Sequence, residues 1–393
     1  RTAANNPYKK LEEARVLHSL ALLDEAEEAI IKGLNCAIEI EDLFAEIQLR
    51  ELLRLIFKNR NNRTITSKQT QNEYLLEMAG RKLVTSIKYT TINDRAFDYL
   101  RSYRVSNENE AKQGMEELIN LSEMQDINMA NSLPSQLRFY NTWNFYHTSK
   151  NEFEKSVEAL FKTLSLWESN KARIDLYPKA YITVLSNILG KLSTLGRTDE
   201  AMTYLSKLED LKVSSRSAMI SKFSTLELQW LLFHLNDGNL SQALAREDKI
   251  NTGLSRFKNG ISATSSISLL YNLGVAHLIS DNFGKALFYF NRVRNLGVLP
   301  KRADMQGVSR LLRLLILAEQ EDTVHFSHYL RNSKPFFKKK DRFSKLEKIV
   351  YGWLKTHHKI EDQVLRKSSL KTFSAKIYPL VEQGMLGAEE IYI

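Results

Sequence analysis

Residues Tyr271 to Val293 read YNLGVAHLISDNFGKALFYFNRV. Two apolar patterns meet at Asp281-Asn282. Small residues, Gly274 and Ala286, sit among bulky ones. Leu270, Leu273, Gly274 and His277 fall three and four apart, the spacing that places side chains on one face of a helix. Where two antiparallel helices cross closely, a Gly or Ala lets the neighbouring backbone approach, and Phe283, Leu287 and Phe290 fill the grooves around Ala286. The stretch therefore predicts a helix, a short turn and a second helix.

The same arrangement recurs along the chain. Ala286 in FGKALFYF aligns with Ala243 in LSQALARE, Ala201 in TDEAMTYL and Ser156 in FEKSVEAL. Ala111 in ENEAKQGM and Ala26 in LDEAEEAI extend the series. The steps from Ser156 are 45, 42 and 43 residues, and Ala111 lies 45 before Ser156. A near-fixed period is the signature of a solenoid. Turn signals precede the small residue at Ser149–Asn151, Leu195–Arg197, Asp237–Asn239 and Asp281-Asn282. No single hairpin can bury its apolar face alone, so the units must stack. The expected fold class is all-α, an antiparallel helix-hairpin solenoid.

This pattern resembles the tetratricopeptide repeat (TPR) family. In the opening stretch Leu270, Leu273, Gly274, Ala286 and Phe290 match, whereas the family's aromatic position falls on His277. Leu185–Leu208 and Tyr140–Thr163 match more loosely, with Ser156 where Ala is usual. The resemblance covers residues 105–300. The period exceeds the standard repeat of about 34 residues and looks like the longer-helix variants of bacterial regulators that sense peptides or partner proteins. The resemblance implies a TPR-like superhelix whose first helices line a concave binding face. Carried onto this chain, that face is Arg138, Asn141, Phe145, Ser186, Ser193, Leu228, Leu232, Tyr271 and Val275. Family members that clamp a terminal carboxylate use Lys and Asn there. Arg138 and Asn141 supply only a fragment of such a clamp, so an extended or helical peptide with apolar anchors fits better.

Composition agrees with a folded helical chain. Of 393 residues, 43% are hydrophobic and 26% charged, with 6 Pro and 15 Gly, which fits a globular, soluble chain rather than a disordered one. No apolar run reaches the roughly 18 residues of a membrane span. Cys36 is the single cysteine, so no intramolecular disulfide forms, and it reads as a small core residue. The chain begins with Arg1 rather than Met, which fits a trimmed or processed start.

The reading divides the chain into degenerate N-terminal repeats (1–104), a repeat core (105–300) and a basic C-terminal repeat and cap (301–393). Polar KNRNNRTITSKQTQN, 58–72, reads as a linker, and a helix break is expected at Thr90–Asn93. Joints are also expected at 128–136, 170–178, 214–218, 253–266 and 297–304. Residues 301–376 hold 18 Lys/Arg against 8 Asp/Glu, equal to the whole formal charge of +10.

No Gly-rich phosphate loop, GxSxG, HExxH or paired cysteine occurs, and the sequence asks for no cofactor. Glu321, His325 and His328 have a spacing that metal ligands use, but no fourth ligand accompanies them and a solvated face explains them better. Adjacent His357-His358 point in different directions on a helix. His147, His234 and His277 recur at one repeat position, and we read them as a packing position rather than a pH-sensing column. The strongest surface feature is the basic run SKPFFKKKDRFSKLEK, 333–348, where Lys338, Lys339, Lys340, Arg342, Lys345 and Lys348 interleave with Phe336, Phe337 and Phe343.

Two functions follow as expectations. The first is a non-catalytic scaffold or sensor that holds a protein or peptide segment on the concave face. The alternative is a nucleic-acid-associated or regulatory protein that binds through the basic C-terminal region, by phosphate contacts and stacking.

Overall fold

A recurring backbone device builds the hairpins. In six turns, the residue five positions before the hairpin's central buried side chain has left-handed backbone: Ala21, Asn151, Gly196, Gly238, Asp281 and Glu321, with φ between 54° and 72°. Each turn closes the preceding helix with the same two hydrogen bonds. In the opening stretch, Asn282 N donates to His277 O at 2.8 Å and Asp281 N to Leu278 O at 3.1 Å. The equivalent pairs close on Leu17 and His18, His147 and Thr148, Leu192 and Ser193, His234 and Leu235, and Leu317 and Ala318. All six small residues of the sequence series are buried: Ala26, Ala111, Ser156, Ala201, Ala243 and Ala286. Phe326 continues the series and is buried too.

The computed structural model describes residues 6–60, 67–103, 108–297, 302–339 and 345–382. Among these no strand occurs, and the chain is an all-α solenoid of antiparallel hairpins packed in chain order. It divides into two units, residues 1–218 and 219–393.

Unit 1 contains α1 (Pro7–Ser19), α2 (Leu23–Glu39), α3 (Leu43–Asn59), α4 (Ser67–Tyr103) and α5 (Glu108–Ile119). Two 3-10 turns, Ser122–Met124 and Ile127–Met129, lead into α6 (Leu133–Ser149). Then come α7 (Phe153–Glu168), the short α8 (Lys171–Leu176), α9 (Pro178–Thr194) and α10 (Thr198–Asp210). Ser132 caps α6, its hydroxyl accepting from Ser135 N, with Pro134 in the first turn.

The break expected at Thr90–Asn93 does not exist, because α4 runs unbroken through it. Thr90 and Thr91 turn their hydroxyls back to the carbonyls of Ser86 and Ile87, at 2.9 and 3.1 Å. Asn93 reaches sideways to the Thr142 hydroxyl of α6 at 3.4 Å. The polar groups that look like a turn in sequence are thus satisfied within a helix. The polar linker is also shorter than expected, since α3 ends at Asn59 and α4 begins at Ser67. Residues 61–66 lie outside the described residues. One core of unit 1 gathers Leu11, Ile30, Leu49 and Ile56 from α1–α3. Another gathers Tyr89, Met115, Met124 and Phe139 around the second half of α4.

Unit 2 takes in most of α11 (Arg216–Asn236), then α12 (Leu240–Leu244), α13 (Glu247–Arg256), α14 (Ala263–Ile279) and α15 (Phe283–Asn295). It continues with α16 (Ala303–Glu319), α17 (Thr323–Lys339), α18 (Lys345–His357) and α19 (Gln363–Glu382). At the α14–α15 crossing a Cβ on Gly274 would lie 2.6 Å from the Phe290 ring. The small residue is there so that the ring can lie against the backbone. Every residue of α14 from Ser266 to His277 is buried. No charged residue occurs between Ala263 and Ile279, the composition of a helix enclosed on all sides.

Candidate functional site

The α2–α3 corner carries several long-range polar contacts of unit 1. Helix α2 ends in a left-handed turn at Glu41 (φ 49°), and Asp42 N donates back to Ala37 O at 2.8 Å. This leaves the last carbonyls of α2 pointing outward, where the helix dipole is negative. Asn170 Nδ2 donates to Glu39 O at 2.6 Å, and Arg173 Nη1 donates to Ile40 O and, at 3.4 Å, to Glu41 O. In return, Glu41 Oε2 accepts from Leu133 N at the start of α6, at 2.7 Å, putting a carboxylate at a helix N-terminus.

Asp42 completes the corner. Its carboxylate caps α3 through Ala45 N at 3.1 Å, and accepts from the hydroxyls of Tyr8 at 3.1 Å and Tyr177 at 2.6 Å. Burial, with the adjacent Asp42 charge and hydrogen bond, pushes the Tyr8 hydroxyl up to about 12 and moves Tyr177 in the same direction. Both phenols therefore stay protonated donors. The Arg173 guanidinium lies 5.5 Å from the Trp167 ring and 5.3 Å from the Tyr177 ring. Burial lowers its pKa, opposed by Tyr177, Asp42 and Glu41. Arg138, exposed on α6, adds its positive charge from nearby. Chemically, this surface reads three successive backbone carbonyls and one carboxylate of an acidic turn.

The sequence-predicted face is only partly brought together. Arg138 is exposed, beside the corner. Asn141 and Phe145 turn toward α4, where Asn141 Nδ2 donates to Asn93 Oδ1 at 3.3 Å and the Phe145 ring lies 5.4 Å from Phe97. Ser186 and Ser193 are half-buried on α9. In unit 2, Leu228 is half-buried against the core and Leu232 is half-buried on the same helix. Tyr271 and Val275 must be corrected. They are 1% and 0% exposed, inside the unit 2 core, because α14 is covered all round and presents no open face.

Of the basic run, Lys340 and Arg342 lie outside the described residues, as does Phe343. The backbone of Lys338 and Lys339 closes α17, that of Lys345 opens α18, and Lys348 is exposed. Phe336 and Phe337 pack inward, with the buried Arg310 guanidinium 3.8 Å from the Phe336 ring. His325 pairs with Asp322 at 2.7 Å, and Glu321 with Arg366 at 3.1 Å. His328 lies 2.8 Å from Asn332. These three have separate partners and are not gathered into one ligand set.

Sequence reasoning missed Asp42, Asn170, Arg173 and Tyr177. The available signals were local: an acidic pair, Glu41-Asp42, after an apolar helix, and an Asn–Arg–Tyr joint before Pro178. Among the described residues, no helix is long and apolar enough to cross a membrane. No family model matches the chain, and no curated protein matches it.

Proposed function

We propose that the chain is a non-catalytic scaffold or sensor module, TPR-like in its hairpins, that holds an acidic protein or peptide segment on unit 1. The binding face is Arg138, Asn141, Phe145, Ser186 and Ser193, with Arg138 as the exposed cation. One observation carries it. The neighbouring surface already holds an acidic turn of the chain itself, reading the carbonyls of residues 39–41 through Asn170 and Arg173 and the Asp42 carboxylate through Tyr177. Main-chain contacts of this kind give affinity, and side-chain pockets give selectivity.

The test is selection from a displayed random peptide library on the full chain, followed by titration of the recovered peptides. Acidic peptides are expected, with affinity reduced at least about tenfold by Arg138→Glu. Recovery of no peptide, or peptides indifferent to Arg138→Glu, overturns the reading.

A further inference from the structure

Helices α18 and α19 pack as an antiparallel pair and line an open cleft of about 440 Å³. Its register is fixed by aromatic and hydroxyl contacts. The Trp353 ring stacks on Phe373 with centroids 4.1 Å apart and planes 18° from parallel. Trp353 Nε1 donates to Ser369 Oγ at 3.1 Å, and His357 Nδ1 lies 3.1 Å from the same oxygen. Antiparallel pairing in this register sets Lys348 opposite Lys376, Gly352 opposite Thr372 and Thr356 opposite Ser368, and all six line the cleft.

That lining is chemically one-sided. Lys348 and Lys376, both exposed, stand at facing positions of the two helices at one end, and no Asp or Glu lines the cleft. Among the described residues, neither lysine makes an ion pair. Like charges at facing positions repel, and a bound anion relieves that repulsion. The Ser368 hydroxyl offers a further donor, those of Thr356 and Thr372 donate to the carbonyls of Trp353 and Ser368, and the Trp353–Phe373 pair forms an apolar wall. A Cβ built on Gly352 would meet no atom within 4 Å, so the cleft is open space there. The volume falls in the range of roughly 300–1,000 Å³ that small-molecule sites occupy.

We infer that this cleft binds a small aromatic phosphate ester of the size of an aryl or nucleoside monophosphate. The phosphate sits at the Lys348–Lys376 end and the ring lies toward the Trp353–Phe373 wall. Two compact ammonium charges suit a dianionic phosphate better than a single carboxylate, since Lys binds phosphate as a point charge. The site lies in unit 2 and is independent of the peptide-binding proposal for unit 1.

Isothermal titration of the full chain with phenyl phosphate and with adenosine monophosphate tests it. Binding of either probe is expected, with inorganic phosphate and benzyl alcohol each at least about tenfold weaker, since each carries only half of the recognised chemistry. The Lys348→Ala/Lys376→Ala double variant removes the charge. Gly352→Leu places a side chain in that open space, where a Cβ meets no atom within 4 Å. Each variant is expected to weaken the bound probe at least about tenfold while the thermal melt stays cooperative. The inference is overturned if neither probe binds or if binding survives both variants.

Discussion

His147, His234 and His277 occupy one residue position, the one whose carbonyl closes the hairpin turn. Their side chains have different fates. His147 Nδ1 reaches Glu152 at 2.7 Å. His277 stacks on Tyr289, with its Nε2 3.2 Å from Glu247 Oε1. Burial alone would raise the Glu247 pKa, but the Tyr289 hydroxyl, Lys285 and His277 outweigh it and hold the carboxyl below its usual range. His234 is buried beside Trp230, ring centroids 4.4 Å apart, and neither ring nitrogen has a hydrogen-bond partner. Burial lowers the pKa of His234, opposed by Asp237 and aided by Arg246, and burial likewise lowers that of His277 against the pull of Glu247. A histidine with a lowered folded pKa takes up protons more readily in the unfolded chain. Its stabilising contribution is therefore complete above the unfolded value of about 6.5 and is lost as pH falls through it. Stability should decline as pH falls below about 6.5, and His234→Phe should flatten part of that decline. Denaturant titrations across that decline check it. A His234→Phe slope identical to that of the parent chain contradicts it.

At the scale of the hairpin, one crossing position is solved in two ways. In α14–α15 the pair twelve residues apart is Gly274 and Ala286, and close approach does the work. In α6–α7 the same pair is Asn144 and Ser156, both buried, and Ser156 Oγ donates to Asn144 Oδ1 at 2.8 Å. The serine that departs from the TPR pattern has a polar partner where the other hairpin has a glycine. Ser156→Ala therefore leaves a buried carboxamide oxygen without its donor and should cost about 1–3 kcal/mol. The Asn144→Ala/Ser156→Ala double variant should cost less than the sum of the two single changes by about 1 kcal/mol. Equilibrium unfolding of the four chains measures this coupling, and strict additivity contradicts it.

For the whole molecule, legibility follows contact range. The period, the turns and the small residues could be read because each hairpin is specified by local spacing. The continuity of α4 could not, since Asn93 is satisfied by Thr142, 49 residues away. The acidic corner rests on contacts such as Asn170 to Glu39, across 131 residues. Tyr271 and Val275 were misplaced for a different reason. The family geometry supplied an open face, although the uncharged composition of α14 already described an enclosed helix.

The central claim is that each hairpin shares its apolar core with its immediate neighbours, so that a local defect stays local. Gly274→Ala forces a Cβ against Phe290 and should destabilise its hairpin by about 1–3 kcal/mol. Native-state hydrogen exchange of this variant, read helix by helix, is the most direct test. The account predicts lost protection in α14, α15 and adjoining α12, α13 and α16, with α18 and α19 unchanged. Equal loss of protection across all of these helices would contradict it.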